Sequence, residues 1–212
     1  MRILAVSDRV SQFLYSEDLP ARIPPVDLIL GAGDLPAYYL EFLATMLPVP
    51  LVYVHGNHGE GFTRDQMGSR KPAEGCINAH RRVVRAAGLT IAGFEGCVRY
   101  KPGAYQYTQF EYRSHLAGLA PGLAAARLLR GRGADILLTH APPEGPGAGD
   151  DVPHRGVGAF NAFHRWFAPA LHVHGHVHLY AANPSREHCQ DGVRVVNAFG
   201  HAIIEFEPGA RR

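Results

Sequence analysis

The sequence predicts an α/β protein built on a mixed β-sheet or two packed sheets. Three observations carry this. Short apolar runs of strand length recur along the 212 residues. Helical patterns alternate with them in the first half, as in βαβ units. In the last third the runs crowd together, as antiparallel hairpins do.

The apolar runs occupy residues 3–6, 26–30, 51–54, 89–92, 136–138, 171–173 and 193–196, with 202–206 as an eighth. Short continuous runs of this kind suit strands covered on both faces. Helical periodicity covers residues 36–46, 107–119, 123–130 and 157–167. Pro36 suits the opening turn of its helix, and Gly131 lies just past the end of another. Residues 60–79 and 141–158 are rich in Gly and Pro and read as surface loops. The motifs described below fall on both sides of each loop. The whole chain, 1–212, is therefore read as one domain.

Composition excludes several classes. Lys and Arg number 21 and Asp and Glu 19, for a net charge of +2, so the basic excess of a nucleic-acid or membrane binder is missing. The three cysteines, Cys76, Cys97 and Cys189, form no CxxC pair, which rules out a thiolate zinc site or a thioredoxin-type motif. The first apolar run has four residues, too short for a signal peptide or a membrane span, so a reduced cytoplasmic setting is expected. Thirteen histidines remain. Metal chemistry here should use imidazole and carboxylate.

Five of the runs end on such groups. ILAV leads to Ser7-Asp8, and DLIL leads through Gly33 to Asp34. LVYV leads to His55-Gly56-Asn57-His58, DILLT to His140, and LHVH to Gly175-His176-Val177-His178. In α/β sheets the C-terminal strand ends form one rim, where ligands bind. Asp8, Asp34, Asn57, His58, His140, His176 and His178 should converge there. Carboxylate and amide oxygens mixed with imidazole suit Mn, Fe or Zn. Singly, each motif is ambiguous: Asn57 alone reads as a turn residue, and a lone strand-end histidine as a structural one. Five in series are hard to produce by accident.

This series, spanning Asp8 to His178, resembles the calcineurin-like metallophosphoesterase superfamily. The resemblance implies a four-layer αββα sandwich, two mixed β-sheets flanked by helices, with a two-metal site at one edge. It implies a hydrolase, a phosphodiesterase or phosphatase, using a water activated by two divalent metal ions. Asp34 would bridge the metals. Asp8 and His178 would complete the first site, and Asn57, His140 and His176 the second. His58 would be catalytic, stabilising developing charge or protonating the leaving oxygen. The expected partner is a small-molecule or nucleotide-like phosphate ester, with no membrane and no long nucleic acid.

Two departures stand out. The family reads Asp-x-His at its first motif; here the third residue is Val10, which cannot bind a metal. Three protein ligands plus water still make a catalytic site. The first site is then weaker or empty, or a loop residue substitutes, with His154 the best placed. The alternative reading is a non-catalytic or mononuclear scaffold or ligand-binding protein on the same fold. The second departure is Gly59 followed by Glu60, where the family places an acid directly after the Asn-His pair. Among other candidates, His154 and Arg155 are read as substrate-binding. His55, His172 and His174 are read as supporting or core residues. The cluster of Arg99, Tyr100, Tyr105, Tyr107, Phe110 and Tyr112 reads mainly as packing, with base stacking or phosphate binding as the functional alternative.

Overall fold

The computed structural model describes residues 1–58, 72–180 and 185–207. The first sheet contains β1 (Arg2–Ser7), β2 (Leu28–Ala32), β3 (Leu51–Val54), β4 (Ile77–Asn78) and β13 (Gly200–Glu205), in the order β13-β1-β2-β3-β4. The second contains β5 (Arg82–Ala86), β6 (Leu89–Phe94), β9 (Ile136–Thr139), β10 (Leu171–His174), β11 (Glu187–Gln190) and β12 (Val193–Asn197). Its order is β11-β12-β10-β9-β6-β5. A small pair, β7 (Cys97–Val98) and β8 (Gln106–Tyr107), stands apart. Four helices connect these elements among the described residues: α1 (Leu19–Arg22), α2 (Ala37–Met46), α3 (Gln109–Arg130) and α4 (Gly158–Phe167).

Side-chain alternation along the strands builds the layers. From the first sheet, Ile3, Ala5, Leu28, Leu30, Val52 and Val54 meet Ile91, Ile136, Leu138, Leu171 and Val173 of the second. The intervening residues Leu4, Val6, Ile29, Leu51 and Tyr53 point the other way, onto Leu19 of α1 and Tyr39, Leu40 and Leu43 of α2. On the second sheet, Ala92, Phe94 and Leu137 pack on Tyr112, Leu116 and Leu123 of α3 and Phe160, Phe163 and Phe167 of α4. Three apolar interfaces between four layers give the αββα sandwich. Truncating one of these core leucines, such as Leu30→Ala, costs about 2–5 kcal/mol.

Both sheets are mixed, because β13, β11 and β5 run antiparallel at or near their edges. The residues expected to form two helices, 107–119 and 123–130, form the single helix α3. It opens with a capping box between Thr108 and Glu111 and ends at Gly131 with φ +79°. Pro121 falls on its exposed face, as does Ala117, whose carbonyl loses its intrahelical partner to the proline. Tyr112, Leu116, Leu119, Ala120 and Leu123 keep an unbroken apolar stripe against the sheet.

Candidate metal centre

The parallel strands β1, β2 and β3 deliver Asp8, Asp34, Asn57 and His58 just past their C-terminal ends. The parallel strands β9 and β10 deliver His140, His176 and His178 from the other sheet. Three of these residues adopt left-handed backbone without being glycine: Asp8 (φ 63°), Asp34 (φ 52°) and His176 (φ 67°). Such strain persists where surrounding structure enforces it, and it clusters at functional sites. Two glycines allow the close approach. A Cβ on Gly33, itself at φ +92°, would collide with His140 Nδ1, and one on Gly56 with the Asp34 carboxylate.

One half of the centre is closed. His140 is fully buried, and its Nδ1 donates to the Ala32 carbonyl at 2.8 Å. That bond aims Nε2 at Asn57 Oδ1, 3.0 Å away, and Asp34 Oδ2, 3.3 Å away. Asn57 is oriented in turn, since its Nδ2 donates to the Tyr100 hydroxyl at 3.5 Å. The His58 backbone N–H donates to Asp34 Oδ1 at 2.9 Å, leaving Oδ2 for the centre. His176 Nε2 donates to the Pro153 carbonyl at 3.0 Å, which leaves Nδ1 as the free lone pair. Burial opposes both charges of the Asp34–His140 pair, but their mutual attraction wins. Asp34 is held down at about 2 and His140 up at about 9.

The other half is looser. The Asp8 carboxyl is only 1% exposed, and both its oxygens accept from the His176 backbone N–H, at 3.1 and 3.0 Å. Burial raises its pKa, against the pull of His140. His178 Nε2 stands 3.8 Å from Asp8 Oδ1, and its side chain is 45% exposed. Its Nδ1 lies 2.8 Å from the Tyr180 hydroxyl; with Nδ1 donating there, Nε2 is free for a ligand role. Val10 adds no donor, and its side chain packs on the apolar layer of Leu14, Leu19 and Tyr39. Across both halves, Asp8, Asp34 and His140 offer ligand atoms within 4.8 Å of one another.

These groups border a cavity of about 650 Å³. Asp8, Asp34, Asn57, His58, His176 and His178 line one side, and His154 joins them. The His154 ring stacks on His176 at 4.6 Å, and its Nδ1 is held by Asp151 at 2.7 Å. Its neighbour Arg155 is exposed and is not part of the lining. Glu60 lies outside the described residues. The same cavity is lined by Lys101, Pro102, Gly103, Ala104 and Gln106, which the sequence did not single out. A signal was available: Lys101 is one of only two lysines, and it sits in a Lys-Pro-Gly turn between aromatic residues.

His172 and His174 are buried on the helix side of β10. The Thr139 hydroxyl donates to the Ala141 carbonyl at 2.6 Å and accepts from His172 Nε2 at 2.8 Å. His172 Nδ1 then accepts from His164 Nε2 at 2.9 Å. This neutral chain braces the turn that carries His140.

Hard oxygens and imidazoles meet at one rim of an αββα sandwich, a donor set suited to divalent cations. The sequence model for the calcineurin-like phosphoesterases matches residues 1–180, and the chain belongs to that family, whose members bind divalent metals. Solved structures share the fold. One is 14% identical, with a TM-score of 0.65, covering 96% of this chain and 94% of the other. Another is the crystal structure of TT1561 of Thermus thermophilus, 17% identical, with a TM-score of 0.59, covering 93% and 88%. Among curated proteins no sequence matches. No helix among the described residues is long and apolar enough to cross a membrane.

Proposed function

We propose that this chain, acting as one domain, hydrolyses a small-molecule or nucleotide-like phosphate ester with the help of divalent cations. Asp34, Asn57, His140 and His176 would hold one cation. Asp8, Asp34 and His178 would hold a second, more weakly, because Val10 contributes no ligand. The donor set suits Mn, Fe or Zn. What the cations supply when bound is a water made nucleophilic at neutral pH and neutralisation of the phosphoryl oxygens.

The protein's own groups do the rest. Asp34 presents one oxygen to the centre while its other is fixed by the His58 amide. The His58 side chain borders the cavity, where its imidazole would pass a proton to the departing oxygen. His154, stacked on His176, would contact the phosphoryl group from the same side. The observation that carries this reading is the convergence of His140 Nε2, Asn57 Oδ1 and Asp34 Oδ2 at 3.0–3.3 Å.

The test is hydrolysis of p-nitrophenyl phosphate and bis(p-nitrophenyl) phosphate with added Mn, Ni, Co or Zn. Turnover that requires metal supports the reading; folded protein inactive with every metal contradicts it. A second reading, a scaffold or mononuclear ligand-binding protein, draws on Val10, whose side chain serves packing. Metal stoichiometry separates the two. Two cations per chain favour the enzyme, one a mononuclear form, and none the scaffold.

A further inference from the structure

The wall facing the metal centre is as constructed as the centre itself. Gln106 is buried, and its Oε1 accepts from the backbone N–H groups of Tyr100 and Lys101, both at 3.3 Å. Arg99 fastens the start of the same turn: its Nε donates to the Gln106 carbonyl at 3.2 Å, and its guanidinium grips both oxygens of Glu111 at 3.0 Å. Glu111 is itself locked into the capping box of α3. The turn 99–103 is therefore held in place before any ligand arrives.

Arg99 is committed to Glu111, whereas among the described residues no carboxylate pairs with Lys101. The Lys101 ammonium stands 5.3 Å from the centre of the Tyr100 ring. Lys101, Pro102 and Gly103 line both the metal-centre cavity and an adjoining open recess of about 530 Å³, whose other lining residues are Arg99 and Tyr100. The turn thus borders both the metal-centre cavity and an open surface recess, and it carries a cation. The Tyr100 hydroxyl meanwhile contacts Asn57, a proposed ligand.

We propose that Lys101 is a substrate-binding residue, forming an outer subsite for a second anionic group. On this basis the substrate class is a phosphate ester that carries, a few bonds from the reacting phosphorus, another phosphate or a carboxylate. This inference rests on the phosphoesterase reading. The subsite selects by charge: the lysine contacts the second anion without touching the reacting atoms, so it acts on KM.

Three p-nitrophenyl diesters test it: the methyl, 2-carboxyethyl and 2-phosphoethyl p-nitrophenyl phosphates, assayed with Mn. The unaltered protein should favour one or both anionic diesters by about tenfold in KM, the size of one charge-assisted contact. Which one is favoured tells carboxylate from phosphate. Lys101→Gln, at an exposed position, should abolish the preference by raising the KM of the anionic diesters to that of the methyl diester. Lys101→Arg should restore it, and Arg113→Gln, removing an exposed cation on α3, should not affect it. A preference that survives Lys101→Gln, that Arg113→Gln removes equally, or that never existed overturns the subsite while leaving the phosphoesterase reading intact. If no diester turns over, calorimetry decides the subsite, and the phosphoesterase reading falls on its own only where p-nitrophenyl phosphate is inert as well. Ethylene glycol bisphosphate should then bind Mn-loaded protein about tenfold tighter than methyl phosphate, with the difference lost in Lys101→Gln. Equal binding, or a difference unaffected by the variant, overturns it.

Discussion

The two halves of the centre are built to different standards. Around His140, every proposed ligand is held by a second group: Ala32 fixes the imidazole, Tyr100 the Asn57 amide, Pro153 the His176 ring and His58 one oxygen of Asp34. Around Asp8, the partner His178 is nearly half exposed and 3.8 Å away, and the position after Arg9 supplies an apolar side chain to a packing layer. Affinity for a cation follows how completely ligands are positioned before it binds. The contrast therefore predicts one strong cation position and one weak one, sharing Asp34.

The largest effect should come from removing what the halves share. Asp34→Asn should abolish metal-dependent hydrolysis and weaken both positions, while Asp8→Asn spares the strong one; equal losses on metal titration would erase the contrast. A smaller effect is expected at the margin of the weak half. Tyr180→Phe unties His178 Nδ1, and on the usual scale for outer-shell partners this should cost about 10-fold or more in affinity at the weak position alone. Gly33→Ala probes the closed half: a left-handed alanine whose Cβ meets His140 should destabilise the fold by about 1–3 kcal/mol in denaturant melts and loosen the strong cation.

The smallest effect concerns the bracing behind His140. Burial lowers the His164 pKa to about 4 and pushes that of His172 well below its ordinary value. Both stay neutral in the folded protein but take up protons near pH 6.5 when unfolded. Their contribution is therefore present above pH 6.5 and lost as pH falls towards 4. His164→Phe should narrow the stability gap between pH 7.5 and pH 5 by about 2 kcal/mol. An unchanged gap in urea melts at the two pH values would remove these histidines from the account.

The legible parts of the sequence were those governed by burial on both faces. The central strands β1, β2, β3 and β9 carry continuous apolar runs, and the polar residues that end them mark the rim. Asp8, Asp34, Asn57 and His140 were visible because each interrupts such a run. The edge strands β5 and β11 were not, since one flank faces water and charged or polar residues interrupt their patterns, Arg-Val-Val-Arg-Ala and Glu-His-Cys-Gln. Helical periodicity was read as two segments, 107–119 and 123–130, where one helix runs through Pro121, because a local pattern does not show that the proline lies on the exposed face. The Lys101 wall escaped because a turn's chemistry depends on what lies across the cavity, which neither periodicity nor spacing records. Arg155 was singled out for its neighbour His154, yet adjacent loop residues diverge, and only His154 reaches the cavity.

The central claim is a strong and a weak cation position sharing one carboxylate. Its most direct test is calorimetric titration of metal-stripped protein with Mn, repeated on Val10→His. The structure predicts one tightly bound cation and a second bound more weakly, with the histidine bringing the second close to the first. Two equally tight sites in the unaltered protein, or no change on introducing the histidine, would contradict it.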